Sequence, residues 1–203
     1  MEPSAAMIAQ RPQGSAPAVR AAAEVLPFND GAFDAAMALM TLHHWDDISR
    51  GLAELRRVAR DHIVIFTWDP ATAGTQWLTA EYLPELGELD LFHFPGPDEI
   101  AEALGGAAVH PVPVPRDCRD GFIEAFWARP EAYLDPAIRA GMSGMAALEE
   151  SVVERGTHRL RADLESGVWD RRHGHLRETD ELDLGYRLVV AELDQDGRSD
   201  WAR

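Results

Sequence analysis

The sequence predicts an α/β fold, a doubly wound sheet, and three observations carry that expectation. Residues 33–40 form a nearly continuous apolar run broken only by Asp34, which fits a parallel strand buried on both faces. Ile48, Leu52, Leu55 and Val58 then recur at spacings of four, three and three, the period of one helix face. Residues 62–68, HIVIFTW, are rich in β-branched and aromatic side chains and read as the next parallel strand. Strand, helix and strand in this order make a crossover unit of the kind that builds parallel sheets.

Composition narrows the class. The 203 residues make one domain of ordinary size, and a hydrophobic share of 46% is enough for a core. A net charge of −16 argues against nucleic acid or an anionic membrane as partner, since both want basic surface. Cys118 is the sole cysteine, so no intramolecular disulfide can form and a reducing, cytoplasmic setting is expected. No apolar run reaches the roughly 18–20 residues of a membrane span, and residues 1–30 lack the order of a secretory signal.

The elements follow in turn. Ser4 is a good cap for a short helix over residues 5–10. Residues 11–17 are a Pro/Gly/Ser linker, and residues 18–22 are expected to form a strand, though their alanines favour one only weakly. Leu26-Pro27-Phe28 is an apolar step, and Asn29-Asp30-Gly31 a turn before the strand at 33–40. Asp46 and Asp47 are placed to cap the next helix, whose Arg50, Arg56 and Arg57 fall mostly off the apolar face and are expected, with Arg60 beyond it, to be solvated. Asp69-Pro70 ends the strand that follows.

One stretch concentrates the functional signal. Leu42-His43-His44-Trp45 directly follows the strand at 33–40, and in open α/β sheets ligands sit beyond the carboxyl ends of strands. Residues 26–34 read LPF-x-D-x-x-FD, and residues 2–7 read E-P-S-x-x-M. Together these motifs resemble the class I S-adenosylmethionine-dependent methyltransferases, in particular the group acting on small molecules. The resemblance covers essentially the whole chain, more closely up to Pro70 than beyond it.

The resemblance implies a Rossmann-like sheet in the order 3-2-1-4-5-7-6, with S-adenosyl-L-methionine as cofactor. It places Glu2 at the ribose hydroxyls, which a carboxylate can accept together, and further cofactor contacts at Ala23, Glu24, Val25, Met40 and Thr41. Alanine stands at position 22, where family members often carry an aspartate for the adenine amino group. Glu24 either replaces that aspartate or is an ordinary loop acid. His43 and His44 are the candidate catalytic residues, with His44 favoured as the base, because a near-neutral pKa suits proton removal from an oxygen or nitrogen acceptor. One of the pair is expected to serve packing or loop orientation instead.

The family's first strand, Gly-rich loop and first helix would lie before Met1, as would most of its second strand. Neither Gly105-Gly106 nor the glycines at 141 and 144 replace that loop. A late gene start is the expected explanation. Such a sheet would leave residues 33–40 as an open apolar edge, and open edges pair with other chains. A homodimer or strand-exchanged oligomer is expected through it.

Beyond Pro70 the pattern is looser. A single domain is expected over 1–193, with a flexible tail over 194–203. Residues 71–106 and 121–180 are expected as lid and substrate-pocket regions, the first carrying Trp77, Tyr82, Leu83, Leu86, Leu89, Leu91, Phe92 and Phe94. Trp45, Trp68, Asp69, Phe126 and Trp127 are candidates to line the acceptor pocket, with Tyr133 beside them. Core packing is the alternative for the aromatic residues, and a turn-forming Asp-Pro the alternative for Asp69. Residues 97–104 read as a helix started by Pro97 and ended by Gly105-Gly106. The alternating prolines of 111–115 confine that stretch to a sheet edge. Residues 123–127, 129–134 and 148–166 read as helices, and 183–191 as the last strand. His158, His173 and His175 lack a metal-ligand spacing and are expected to be solvated.

The function expected is thus methylation of an oxygen or nitrogen on a small-molecule acceptor, by this chain or by one that includes the segment expected before Met1. The alternative is a non-catalytic methyltransferase-like binding or regulatory protein; a cyclase reusing the fold is a third reading.

Overall fold

The computed structural model describes residues 1–88 and 94–193. Leu89, Leu91 and Phe92 of the expected lid, and the expected tail over 194–203, lie outside the described residues. The elements run α1 (Ala5–Ala9), β1 (Phe33–Leu39), α2 (Ile48–Val58), β2 (Ala59–Trp68), α3 (Glu85–Glu88), α4 (Pro97–Ala103), β3 (Ala108–Pro111), β4 (Val114–Pro115), α5 (Pro136–Arg139), α6 (Ser143–Ala146), α7 (Glu150–Glu165), α8 (Val168–His173), β5 (Glu181–Leu182) and β6 (Tyr186–Glu192). The described residues fall into two compact units, one drawn from residues 1–68, 94–110 and 187–193, the other from residues 69–88 and 111–186.

The first unit holds a four-stranded sheet in the order β1-β2-β6-β3. β1 and β2 run parallel, pairing Ala36 with Ile63 and Ala38 with Ile65. Ala38, Ile63, Ile65, Val189 and Ala191 share one buried cluster with Leu52, Leu55 and Val58 of α2 and with Ile100, Ala101 and Leu104. The spacing read in the sequence is therefore the core face of α2. Asp47 caps that helix, its carboxylate accepting the Arg50 N–H at 2.9 Å. Ser4 caps α1 on Met7 at 3.3 Å.

Four expectations are corrected here. Residues 18–22 form no strand; alanine packs poorly on a pleated surface, and the segment is tied instead to residues 2–3, its Val19 carbonyl accepting the Glu2 N–H at 3.2 Å and its Arg20 donating to the Pro3 carbonyl at 3.1 Å. β1 is not buried on both faces. It stands at the end of the sheet with Phe33 41%, Met37 63% and Leu39 54% exposed, while Ala38 alone turns fully into the core. A strand with one neighbour and one covered face buries only alternate side chains. Arg56, Arg57 and Arg60 are committed rather than free in solvent: Arg56 donates to the Leu104 carbonyl at 2.7 Å, Arg60 to the Gly31 carbonyl at 2.9 Å and to Asp34, and Arg57 to residues 26–30. The fourth correction, at His173, belongs to the second unit.

β3 closes the other end of the sheet, where its proline deprives no neighbour of a ladder bond. α4 begins at Pro97, with the Glu99 carboxylate accepting the Gly96 N–H at 3.2 Å. Gly105 and Gly106 follow it at φ +84° and +103°, values that favour glycine.

The second unit is built on aromatic packing. Trp127, Trp169 and Tyr133 are fully enclosed. Trp77 meets Tyr82, Tyr133 and Trp169 edge-on, with ring centroids 5.8, 5.5 and 5.3 Å away. The indole N–H of Trp77 donates to the Trp127 carbonyl at 2.8 Å, and that of Trp127 to the Val114 carbonyl at 3.2 Å. The expected helices at 123–127 and 129–134 are the 3-10 turns Ile123–Phe126 and Pro130–Leu134. His173 is not solvated. It is half-buried between Trp77 and Trp169 and bonds Glu81 at 2.8 Å. Among the described residues no helix is long and apolar enough to cross a membrane, and no cluster of three His, Cys, Asp or Glu could hold a metal ion.

Candidate functional site

The site is assembled where β1 ends. Met40 departs from the strand at φ +47°, the one non-glycine positive φ among the described residues. That conformation crowds Cβ against the next carbonyl and costs about 1 kcal/mol or more. Its N–H still donates to the Phe66 carbonyl at 2.8 Å, so the strand stays laddered to β2 up to the bend. The chain then closes the single 3-10 turn Leu42–His44, with the His44 N–H on the Thr41 carbonyl at 3.0 Å. Leu42 is 1% exposed and pins the turn to the core. Its two successors are left to point elsewhere.

The rings so presented form a small aromatic group. His43 lies 3.8 Å from His44 and 4.3 Å from Phe94, centroid to centroid. Phe94 in turn meets Trp68, the last residue of β2, edge-on at 5.7 Å. Burial, and after it the neighbouring His44 imidazole, pull the His43 pKa down to about 4, so its ring is neutral around pH 7. His44 is the exposed member of the pair. A neutral imidazole backing an exposed one on an aromatic floor can hold and move a proton at the rim of the sheet.

The other predicted residues divide. Glu2 is half-buried, and one of its carboxylate oxygens accepts the Ser4 N–H at 2.8 Å. Ala23, Glu24 and Val25 lie in a turn closed by the Val25 N–H on the Ala22 carbonyl at 3.3 Å. Glu24 accepts the Asp47 N–H at 3.2 Å, which ties this turn to the segment just after the histidines. Val25 is 59% exposed. Trp45 faces away into packing: its indole covers Gly51 of α2, where an added Cβ would sit 2.4 Å from the ring. Asp69, Phe126 and Trp127 belong to the second unit. Asp69 caps the turn that follows it, accepting the Ala71 N–H at 3.0 Å, and Phe126 and Trp127 are core residues there, 8% and 0% exposed.

Sequence reasoning missed the strain at Met40 and the tilted packing of Phe94 against His43. It also missed Arg57, although Glu54 and Arg57 are three apart on a helix, a spacing that pairs side chains.

The comparisons with known proteins bear on this geometry. Residues 1–66 match the family described as the methyltransferase domain. A structure from Anabaena variabilis ATCC 29413, designated a methyltransferase from an antibiotic biosynthesis pathway, is 33% identical and superposes with a TM-score of 0.85 over 95% of this chain and 80% of its own. The chain belongs to the class I methyltransferase family. Its sheet order, β1-β2-β6-β3, corresponds to 4-5-7-6 in the order that the resemblance implied. Two looser likenesses are to the [4+2]-cyclase SpnF (18% identity, TM-score 0.39, 86% of this chain and 55% of that one) and the YcgJ protein of Bacillus subtilis (14%, 0.36, 85% and 68%). No curated protein matches significantly.

Proposed function

We propose that this chain is an S-adenosylmethionine-dependent methyltransferase that methylates an oxygen or nitrogen of a small-molecule acceptor. The observation that carries the reading is the paired imidazoles at the carboxyl end of β1, one exposed and one held neutral. The Anabaena relative's antibiotic pathway supports an acceptor of small-molecule class.

The residues at hand fit the cofactor. Glu2 spends one carboxylate oxygen on Ser4, and its second suits a ribose hydroxyl. Residues 23–25 offer a backbone turn with an apolar side chain outward, suited to an adenine edge and face. Met40 and Thr41 stand at the bend beside the histidines. When bound, the cofactor supplies an activated methyl group on a sulfonium. The chain's own part is orientation and proton removal. His44 takes the acceptor proton as it becomes nucleophilic. His43 keeps an uncharged ring behind it and so would add no positive charge to a site that takes a sulfonium. Phe94, packed against His43, and Trp68 behind it hold the inner ring in place.

Isothermal titration of the 203-residue chain with S-adenosylmethionine tests the reading. Saturable binding in the micromolar range is expected. The absence of any heat would refute it and favour a non-catalytic methyltransferase-like module.

A further inference from the structure

We infer that Arg57 and Glu54 are positioning residues that set the turn at 23–25 for nucleoside binding; this rests on the reading that the turn takes the cofactor. The two side chains are adjacent on α2 and reach off the helix to one loop. Glu54 accepts the Leu26 N–H at 2.7 Å. Arg57 donates to both Glu54 oxygens at 2.6 and 2.8 Å, to the Leu26 carbonyl at 3.0 Å, to the Phe28 carbonyl at 2.7 Å and to Asp30 at 2.8 Å. Those five donations use the whole guanidinium fork. The Arg57 carbonyl also accepts the Gly31 N–H at 2.8 Å.

The arrangement is directed at the loop and not at the helix. α2 is held to the sheet by Leu52, Leu55 and Val58 on its core face, a face that Arg57 does not share. Upstream, Glu24 is fixed separately on the Asp47 N–H. Val25 therefore stands exposed between two anchored neighbours, Glu24 and Leu26. A turn clamped on both sides meets a planar base without first being ordered, which lowers the entropic cost of binding. Lysine offers three donors from a point and cannot reproduce the fork.

The variants Arg57→Lys and Glu54→Gln test this, with two readouts. Amide hydrogen exchange in residues 24–28 should speed up by roughly tenfold or more while β2 and α4 keep their protection, since opening would be local. Affinity for S-adenosylhomocysteine, used as the probe, should fall roughly tenfold, more in Arg57→Lys than in Glu54→Gln, which keeps a side chain able to bond both partners. Unchanged exchange at 24–28 overturns the inference whatever the titration gives. Faster exchange with unchanged affinity overturns it as well. Failure of the unaltered chain to bind the probe sinks the cofactor reading instead, and is told apart because no variant is involved.

Discussion

The imidazoles of His43 and His44 lie 3.8 Å apart with their planes at 52°. His43 is the more buried of the two, and a second positive charge at that distance would repel its own, so the inner ring stays neutral to about pH 4. Its folded pKa lies below the ordinary 6.5, so below pH 6.5 the unfolded chain binds the proton more readily than the folded one. Stability from this group is full above pH 6.5 and is lost as pH falls from 6.5 towards 4. Thermal unfolding across that range should show a falling Tm, and His43→Phe, which keeps a ring against Phe94, should flatten the fall. An equal slope in the variant would assign the effect elsewhere.

His44→Ala removes the exposed imidazole without touching the core. With an acceptor in hand, kcat should drop by about 10²–10⁴-fold, the usual worth of a general base, with cofactor affinity nearly unchanged. His43→Asn should cost less. Steady-state kinetics on the two variants decide which ring carries the proton.

Gly51→Ala should destabilise the chain even though alanine favours helices by about 1 kcal/mol. The new Cβ would lie 2.4 Å from the Trp45 ring, and overpacking of this kind costs roughly 1–3 kcal/mol. Adding Trp45→Leu should recover most of the loss. Urea unfolding of the single and double variants gives the coupling; additive losses would mean the indole does not cover α2.

Gly156→Ala poses a harder case. A Cβ there would meet Leu83 Cδ2 at 2.4 Å and the Tyr82 carbonyl oxygen at 2.8 Å. A side chain can turn aside, but a backbone carbonyl cannot without moving its π-helical turn, Leu78–Tyr82. A loss at the upper end of roughly 1–3 kcal/mol is expected, and trimming Leu83 to alanine should not restore it.

The open edge of β1 is expected to pair with a second copy. Antiparallel pairing about Ala36 would set Phe33 against Leu39 and Ala35 against Met37 of the partner, all on the exposed face. Asp34 would then oppose Ala38, so no like charges meet. Light scattering should show association that Met37→Lys weakens; a monomer at high concentration would exclude it.

Much of this was legible because it depends on local chemistry. The core face of α2, the caps Ser4 and Asp47, and the glycines after α4 all follow from spacing and turn propensity. The strand at 33–40 was legible as a strand but not in its burial, because an apolar run looks the same at the end of a sheet as in its middle. The role of Arg57 was hidden for a different reason: its partners are backbone carbonyls at 26 and 28, and every residue has one. Phe126 and Trp127 were caught between pocket and core, since both want aromatics; enclosure inside the second unit tells where they sit.

The interleaving of the two units bears on biosynthesis. β6 lies between β2 and β3 in the sheet yet follows both in the chain, the last strand among the described residues. While the ribosome works through residues 112–185, β2 and β3 have no partner to bridge them. The sheet can therefore close only once β6 is available, and pairing so distant in sequence makes for slow folding. Emergence of β6, rather than of any earlier segment, becomes the event that commits the first unit to its native state.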